Sequence, residues 1–435
     1  MKDWLRSVMD ILILGGTGFI GTAVLMRLLA DGHRVTGLGR DPRQAARRCP
    51  AADFRRADLA AMISADAWAE LVAGHAVIVN CAGALQDGPR DDLAAVQERA
   101  MLALYAAARA AGGRLIVQIS AHTGGGGAGT TFLATKRRAD AALKSSGLDH
   151  VILRPALVVG RNAHGGTALL RALAGFPLAI PAVHAGSRVD VVALDDVAEA
   201  IVRAVDGRIE LGSDVALAAP GALTLGEVLA QHRSWLGLGP ARVIAVPAAL
   251  ARPVTMLADL AGRLGWRSPL RSTAMTVMEG GVGAGDATPA PFALRTLAHT
   301  LGENPSGVQD LWFARLYLLK APVLVTLSAF WLLSGLIPLL SLETAAAHFL
   351  PILDPPAAVA ATLATCALDI VLGLAVLWRR RARQALWVML AVSLAYLASA
   401  TLAAPGLWLD PLGPLVKVGP SMLLTLVALA TLDER

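Results

Sequence analysis

The sequence predicts an α/β domain built on a doubly wound parallel sheet with a small second lobe, followed by an all-α bundle of four membrane-spanning helices. Three observations carry that prediction. The stretch Ile11–Gly21, ILILGGTGFIG, sets an apolar run, three glycines and a second apolar run in immediate succession, which reads as a buried strand, a tight turn and a helix. From there to about residue 155, short apolar runs alternate with helix-forming segments, the pattern of repeated strand–helix–strand units. Beyond residue 320, four apolar segments of about 20 residues follow one another, each long enough to cross a bilayer.

Composition narrows the function. With 55% hydrophobic and 17% charged residues among 435, the chain is too apolar to be wholly water-soluble. A net charge of +6 is spread without a dense basic tract interleaved with aromatics, so no nucleic-acid partner is expected. Cys49, Cys81 and Cys366 lie far apart and fit neither a disulfide framework nor a zinc spacing; no metal is expected. The apolar run before Gly15 is too short for a signal peptide and leads straight into the glycine turn, which keeps the start of the chain in the cytosol.

The glycine turn is the first candidate site. Gly15, Gly18 and Gly21 are spaced three and three; missing Cβ atoms admit a pyrophosphate while the following helix aims N–H groups and its positive dipole end at it. The expected ligand is a dinucleotide, touched by Gly15, Thr17, Gly18, Phe19, Ile20 and Gly21; an ordinary strand-to-helix turn is the bland alternative. His33–Gly39 is the second strand, stopped by Arg40-Asp41-Pro42. A basic residue at this strand end accommodates a ribose 2′-phosphate, where an acidic one would bind the free hydroxyl. Arg40 thus favours NADP (NADPH), with NAD possible; a solvated loop arginine is the alternative.

A short strand lies within Asp53–Asp58, and Asp58-Leu59 is placed to close over the adenine edge. His75–Val79 is a buried strand ending in Asn80-Cys81-Ala82-Gly83, whose small residues leave room for cofactor. Cys81 reads as packing. Ala94–Ala111 is a helix ended by Gly112-Gly113, and Leu115–Ile119 a strand leading to Ser120. A glycine-rich loop, Ala121–Gly129, then runs into a helix over Thr130–Ser145 that carries Lys136.

GGTGFIG, NCAG, Ser120, Lys136, the strand Val151-Ile152-Leu153-Arg154-Pro155 and the pair Asp195-Asp196 stand in the order and spacing of an extended or atypical short-chain dehydrogenase/reductase. Over roughly residues 9 to 300 the chain resembles that epimerase/dehydratase-like family, and is similar to the branch that includes the nucleotide-binding accessory subunit of respiratory complex I. The resemblance implies a Rossmann sheet with its NAD(P)-binding core at 9–155, and the rest of the sheet with a substrate lobe at 156–310. It assigns Ser120 to position a carbonyl and Lys136 to hold the nicotinamide ribose. The catalytic tyrosine of the family, four residues before that lysine, is replaced by Phe132. Tyr105, Tyr317 and Tyr396 are badly placed to substitute, and His122, Thr130 and Thr131 are the polar candidates nearby.

Ala241–Trp266, with Pro247 and Pro253 among many apolar residues, reads as a core helix pair, a position at a bilayer surface being the alternative. Gly280–Pro291 reads as a loop. The apolar segments Ala321–Leu340, Ala357–Trp378, Gln384–Leu402 and Pro411–Leu432 then predict a membrane domain at 315–435. Arg315, Lys320 and Arg379-Arg380-Arg381 with Arg383 flank one end; the other connections carry Glu343, His348, Asp354 and Asp410 without Lys or Arg. That asymmetry sets both ends of the tail in the cytosol, in a multi-pass protein of the cytoplasmic (inner) membrane. Topology and WLLSGLIPLL make this tail resemble a DoxX-type four-helix domain. Asp369 is expected to face the bundle interior, with Lys417 either bridging toward it or snorkelling outward. Together these features predict a membrane-anchored NAD(P)-binding oxidoreductase acting on a quinone or lipid carbonyl. The alternative is a non-catalytic NADPH-binding module of a membrane complex, and a transporter with a regulatory nucleotide domain is the weakest reading.

Overall fold

The computed structural model describes residues 8–83, 92–121, 129–279, 281, 283, 287–350, 352–411 and 413–433. The chain divides into two units, Met1–Asp259 with Ser268–Leu311, and Leu260–Arg267 with Trp312–Arg435.

The first unit contains twelve strands among its described residues: β1 (Asp10–Leu14), β2 (Arg34–Gly39), β3 (Asp53–Arg56), β4 (Val77–Asn80), β5 (Leu115–Ile119), β6 (His150–Pro155), β7 (Leu157–Val159), β8 (Ile180–Ala182), β9 (Val191–Ala193), β10 (Asp214–Leu217), β11 (Val243–Ala245) and β12 (Thr288–Pro289). Eight of them form one sheet in the order β12-β10-β6-β5-β4-β1-β2-β3, every neighbouring pair parallel. The register centres on β1, where Ile13 lies between Gly37 and Val79. Both faces of that strand are buried, as a parallel sheet demands. Ile11 and Ile13 pack with Leu25 and Leu28 of the helix Phe19–Ala30 and with Val197 and Ile201 of the helix Leu194–Val205. Leu12 and Leu14 pack on the other face with Trp68, Leu104 and Leu143.

Strand order reverses between β1 and β4, and the crevice outside the carboxyl ends of the strands at such a point is where open α/β sheets bind ligands. β7 with β9, and β8 with β11, make two small parallel pairs. Around them Leu170, Ile180, Val191, Val228 and Leu229 form a separate apolar core, the small lobe expected from the sequence.

Several elements differ from expectation. Past the predicted stop, Pro42–Arg48 forms a helix with proline in its first turn, where its missing N–H costs nothing. The helix expected over Ala94–Ala111 starts as a π-helical turn, Ala95–Arg99, before the α-helix Ala100–Ala110. Part of the segment read as a loop, Gly280–Pro291, supplies the edge strand β12; Pro289 is tolerated there because an edge leaves one row of N–H groups unpaired. Ala241–Trp266 holds no core helix pair: it gives β11 and one helix, Ala248–Arg263, whose buried residue is Gly262.

In the second unit, helices Lys320–Leu336, Pro355–Ala375 and Arg379–Ala403 are long and apolar enough to cross a membrane, the first span continuing to Phe349. The fourth predicted crossing is shorter. Pro411, Gly413 and Pro414 delay the helix until Val418, so Val418–Thr431 has 14 residues and spans about 21 Å, less than the hydrocarbon thickness of about 30 Å. The chain nonetheless returns to the end at which it entered, because Lys320 Nζ and Arg379 Nη2 both donate to Leu432 O, at 3.2 and 3.3 Å. Leu327, Trp331, Leu372, Met389 and Ala428 fill the interior. Gly335 and Gly373 let the first two helices touch: a Cβ on Gly335 would lie 2.6 Å from Cys366 O, and one on Gly373 3.0 Å from Ser328 O. Asp369 is buried as expected; Ser334 Oγ and Tyr396 OH donate to it at 2.8 and 3.1 Å. Lys417 is exposed at the start of the fourth helix and has no hydrogen bond to that carboxyl.

Candidate functional site

Four strand ends converge on the crevice: the glycine turn after β1, Gly39-Arg40 after β2, Cys81-Ala82-Gly83 after β4, and Ser120 after β5. The turn is built by hydrogen bonds from Gly16 N to Leu38 O and from Gly18 N to Gly15 O, at 3.1 and 2.9 Å. Gly15 sits at φ +72°, where a Cβ would also lie 3.0 Å from the Ala82 backbone. At Gly21 a Cβ would fall 2.1 Å from Gly15 O, so this glycine serves the close packing of turn on helix. Gly18 is different: it is exposed, and a Cβ there would meet just Gly15 O, at 3.2 Å.

The helix from Phe19 has no side-chain cap and no acidic residue in its first turn. Its first N–H groups lack intrahelical acceptors and carry the positive end of the dipole, a cradle that fits a dinucleotide pyrophosphate. The Phe19 ring stacks on His164, centroids 5.3 Å apart. Thr17 is exposed and its side chain occupies the space a Cβ on Gly39 would take; Ile20 packs against the sheet core.

Around the crevice, Arg40 is exposed directly after β2. Asp58 caps the 3₁₀ turn Leu59–Ala61 by accepting from Ala60 N at 3.2 Å, and Leu59 is half-buried. Cys81 N donates to Leu14 O, and Asn80 Oδ1 accepts from Ala82 N at 3.0 Å. Burial pushes the Cys81 thiol up to about 12, against the pull of Lys136, so it is a packing group with no nucleophilic character at neutral pH.

Phe132, Lys136 and Asp140 lie at four-residue spacing on the helix Thr131–Ser145 and so share one face. Lys136 Nζ donates to Ile119 O at 3.0 Å, stands 5.9 Å from the Phe132 ring centroid, and lies 3.7 Å from where a Gly83 Cβ would be. Ser120 Oγ donates to Asp140 Oδ2 at 2.5 Å and accepts from Arg154 Nη1 at 3.2 Å. Arg154 reaches Asp140 at 3.0 Å and grips Asp214 through Nε and Nη2, at 2.6 and 2.9 Å. Burial lowers the Lys136 ammonium from its ordinary value and raises the Asp140 carboxyl, each opposed by the charges around it. Burial alone would raise Asp214 too, but Arg154 and Lys144 hold it below the usual carboxylate range.

The sequence reading missed this Ser120–Asp140–Arg154–Asp214 network. Asp140 had a signal, since it repeats the spacing of Phe132 and Lys136; Asp214 had none. Gln97 was also missed: the π-helical turn brings it to Thr135 Oγ1, which donates to it at 3.0 Å, and a Cβ on Gly83 would lie 3.7 Å from its Nε2. Such turns often mark functional sites. Of the candidate proton donors, His122 lies outside the described residues. Thr130 caps the helix by accepting from Leu133 N, and Thr131 is exposed. Tyr105 is buried with its hydroxyl donating to Gln118 Oε1 at 3.4 Å. Tyr317 and Tyr396 belong to the other unit.

Residues 15–208 match the NAD(P)H-binding family and residues 328–426 the DoxX-like family. An uncharacterized protein of Mycobacterium tuberculosis is 31% identical over 222 residues, 51% of this chain and 23% of that protein, so the chain matches under a quarter of that relative's length. A ceramide reductase of Caulobacter vibrioides is 28% identical over 195 residues, 44% of this chain and 59% of that enzyme. Among solved structures, Bordetella bronchiseptica WbmH in complex with NAD+ is similar at a TM-score of 0.46 and 19% identity, covering 57% of this chain and 91% of that one. A Thermus thermophilus UDP-glucose 4-epimerase complex with NAD gives 0.44 and 22%, covering 62% and 98%.

Proposed function

We propose, for a chain that joins an NAD(P)-binding Rossmann domain of the short-chain dehydrogenase/reductase type to a DoxX-like membrane domain, that it is an oxidoreductase acting on an apolar, membrane-dissolved lipid carbonyl or quinone. The carrying observation is that union: anchoring the cofactor domain at the bilayer raises its effective concentration toward a membrane-dissolved partner. The Caulobacter relative's name, ceramide reductase, supports a lipid carbonyl. NADPH is the favoured cofactor, on Arg40 following β2. The basic end of the bundle lies in the cytosol of an inner membrane, on the excess of Lys and Arg there.

In this reading the backbone of Gly15–Gly21 binds the pyrophosphate and Arg40 the 2′-phosphate. Asp58 and Leu59 border the adenine, and Cys81, Ala82 and Gly83 line the cofactor's path. Lys136 holds ribose hydroxyls beside Gly83. The cofactor supplies a hydride. Ser120 orients the substrate carbonyl when its hydrogen is released from Asp140, which happens as that carboxyl takes a proton. No phenol stands at position 132, so general acid help worth about 10² to 10⁴ in rate is missing. A quinone suffers least from that loss, because hydride transfer to it leaves a delocalised anion that water can protonate.

Phe132 and the commitment of the Ser120 hydrogen to Asp140 favour a second reading, a non-catalytic NADPH-binding module of a membrane complex. Oxidation of NADPH by the full-length protein in nanodiscs separates the two, with a long-chain keto-lipid, a quinone and a water-soluble aldehyde as acceptors. Turnover with either membrane-dissolved acceptor and not with the aldehyde supports the enzyme. NADPH binding without turnover on any of the three supports the module.

A further inference from the structure

The helix Ala248–Arg263 is amphipathic with its sides reversed. Leu250, Val254, Leu257 and Leu260 fall on one stripe, at i, i+4, i+7 and i+10, and all face outward with 69, 49, 67 and 53% of their surface exposed. Leu264 continues the stripe just past the helix and is exposed as well. The opposite side is small or polar and turned inward: Gly262 is buried, Ala251, Thr255, Ala258 and Asp259 are half-buried, and Asp259 accepts from Arg271 Nε and Ser272 N at 3.2 and 3.4 Å. A helix covered by water, or folded into a core, would be arranged the other way round.

Its C-terminal end is tied to the membrane unit. Leu260–Arg267 belongs to the membrane unit. There Trp266 Nε1 donates to Leu377 O at 2.6 Å, and Arg379 N donates to Leu264 O at 3.1 Å. The indole lies under two cations, Lys320 Nζ and Arg379 Cζ, 5.7 and 5.5 Å from its ring centroid. These contacts fix the end of the helix to the connection between the second and third spanning helices, on the basic side of the bundle where chain leaves hydrocarbon for water. Arg252 and Arg263 are exposed on the flank of the apolar stripe, and Arg267 follows. An outward Leu/Val face with flanking arginines, leading into a tryptophan under two cations, matches the make-up of a helix lying in the headgroup region.

We propose that Ala248–Arg263 lies in the plane of the membrane, its Leu250–Leu260 stripe inserted among the acyl chains of an anionic leaflet and Arg252 and Arg263 on its phosphates. It is a second membrane attachment, separate from the spanning helices, and leads into the NAD(P)-binding unit through residues 248–259. The occupant is lipid; a second copy of the chain is the rival the test must detect.

Site-directed spin labelling of the full-length protein in phosphatidylcholine/phosphatidylglycerol nanodiscs tests this. The native cysteines are first replaced by alanine, and single cysteines are then placed by Leu250→Cys, Leu257→Cys and Leu260→Cys, or by Arg252→Cys and Arg263→Cys. Collision rates with molecular oxygen, concentrated in lipid, are compared with those of a water-soluble nickel chelate. The expected result is oxygen dominant at positions 250, 257 and 260, and nickel dominant at 252 and 263. Nickel dominance at all five would place the helix in water. Low rates with both reagents on the apolar stripe would show that protein covers it. Either result overturns the proposal.

Discussion

Each unit buries a carboxylate, and the two solve the problem differently. In the α/β unit Asp140 is met by cations: Arg154 at 3.0 Å, itself forked onto Asp214, with the buried Lys136 one helical turn away. In the bundle Asp369 is met by hydroxyls, Ser334 and Tyr396. The first is an electrostatic network in which each charge depends on the others. The second is a hydrogen-bond set from three helices that strands no cation when the acid is lost. One balances buried charge with opposite charge; the other joins helices where hydrocarbon offers no alternative partner.

That contrast is broken if the two acids respond alike. Asp140→Ala leaves buried cations uncompensated and should cost about 3 to 5 kcal/mol of unfolding free energy, read from thermal or denaturant melts in detergent. Asp369→Asn keeps the shape and part of the hydrogen bonding, so about 1 to 2 kcal/mol is expected. Similar losses would mean that the bundle acid has a charged partner after all.

The glycines sharpen the same division between scaffold and site. Gly21→Val drives a side chain into Gly15 O and should destabilise the α/β unit by about 3 kcal/mol, with cofactor binding lost. Gly18→Val meets just one atom, Gly15 O, with its Cβ at 3.2 Å, so melts should fall far less than in Gly21→Val, while calorimetry shows no NADPH binding because the side chain fills the pyrophosphate's place. Binding retained in Gly18→Val would remove the glycine turn from the site.

Acid should act on the α/β unit first. Burial pushes His232 down to about 4, below its unfolded value of about 6.5. Protons therefore bind the unfolded chain more readily as pH falls from 6.5 toward 4, and the imidazole's contribution of about 3 kcal/mol is present above that window and lost across it. A His232→Gln variant should show a flatter decline in melting temperature over that range; parallel declines would contradict the assignment. A smaller effect is expected at Arg40: Arg40→Ala should reduce the preference for NADPH over NADH by about tenfold or more, a charge-assisted hydrogen bond being worth about 1.5 to 3 kcal/mol. Equal weakening of both cofactors would argue against contact with the 2′-phosphate.

What could be read without the structure follows from how local each signal is. The unit from β1 through the helix at Phe19 was legible because strand burial, turn glycines and helix start occupy eleven consecutive residues. Lys136 was legible by its place after Phe132 and Ser120. The Arg154–Asp214 pair that completes the network around Ser120 was not, since the two lie 60 residues apart in sequence and meet through the pairing of β6 with β10. Gln97 was hidden by a π-helical turn that breaks the 3.6-residue period. In the bundle, length and hydropathy gave the long spans, but the prolines that shorten the fourth helix carry little weight in a hydropathy window. The outward face of Ala248–Arg263 was invisible for a simpler reason: an apolar stripe looks the same whether it faces a core or a lipid.

Phe132 in the place of a phenol predicts a site that binds its cofactor normally and lacks only the proton donor. The direct measurement is a paired one on Phe132→Tyr and the unaltered protein in nanodiscs, NADPH affinity by calorimetry and NADPH oxidation with a long-chain keto-lipid. The prediction is an unchanged Kd and a rate raised toward the factor of about 10² that a placed phenol supplies. An unaltered protein that already reduces the lipid at rates typical of enzymes, about 1 to 10³ per second, with no gain in the variant, would contradict it.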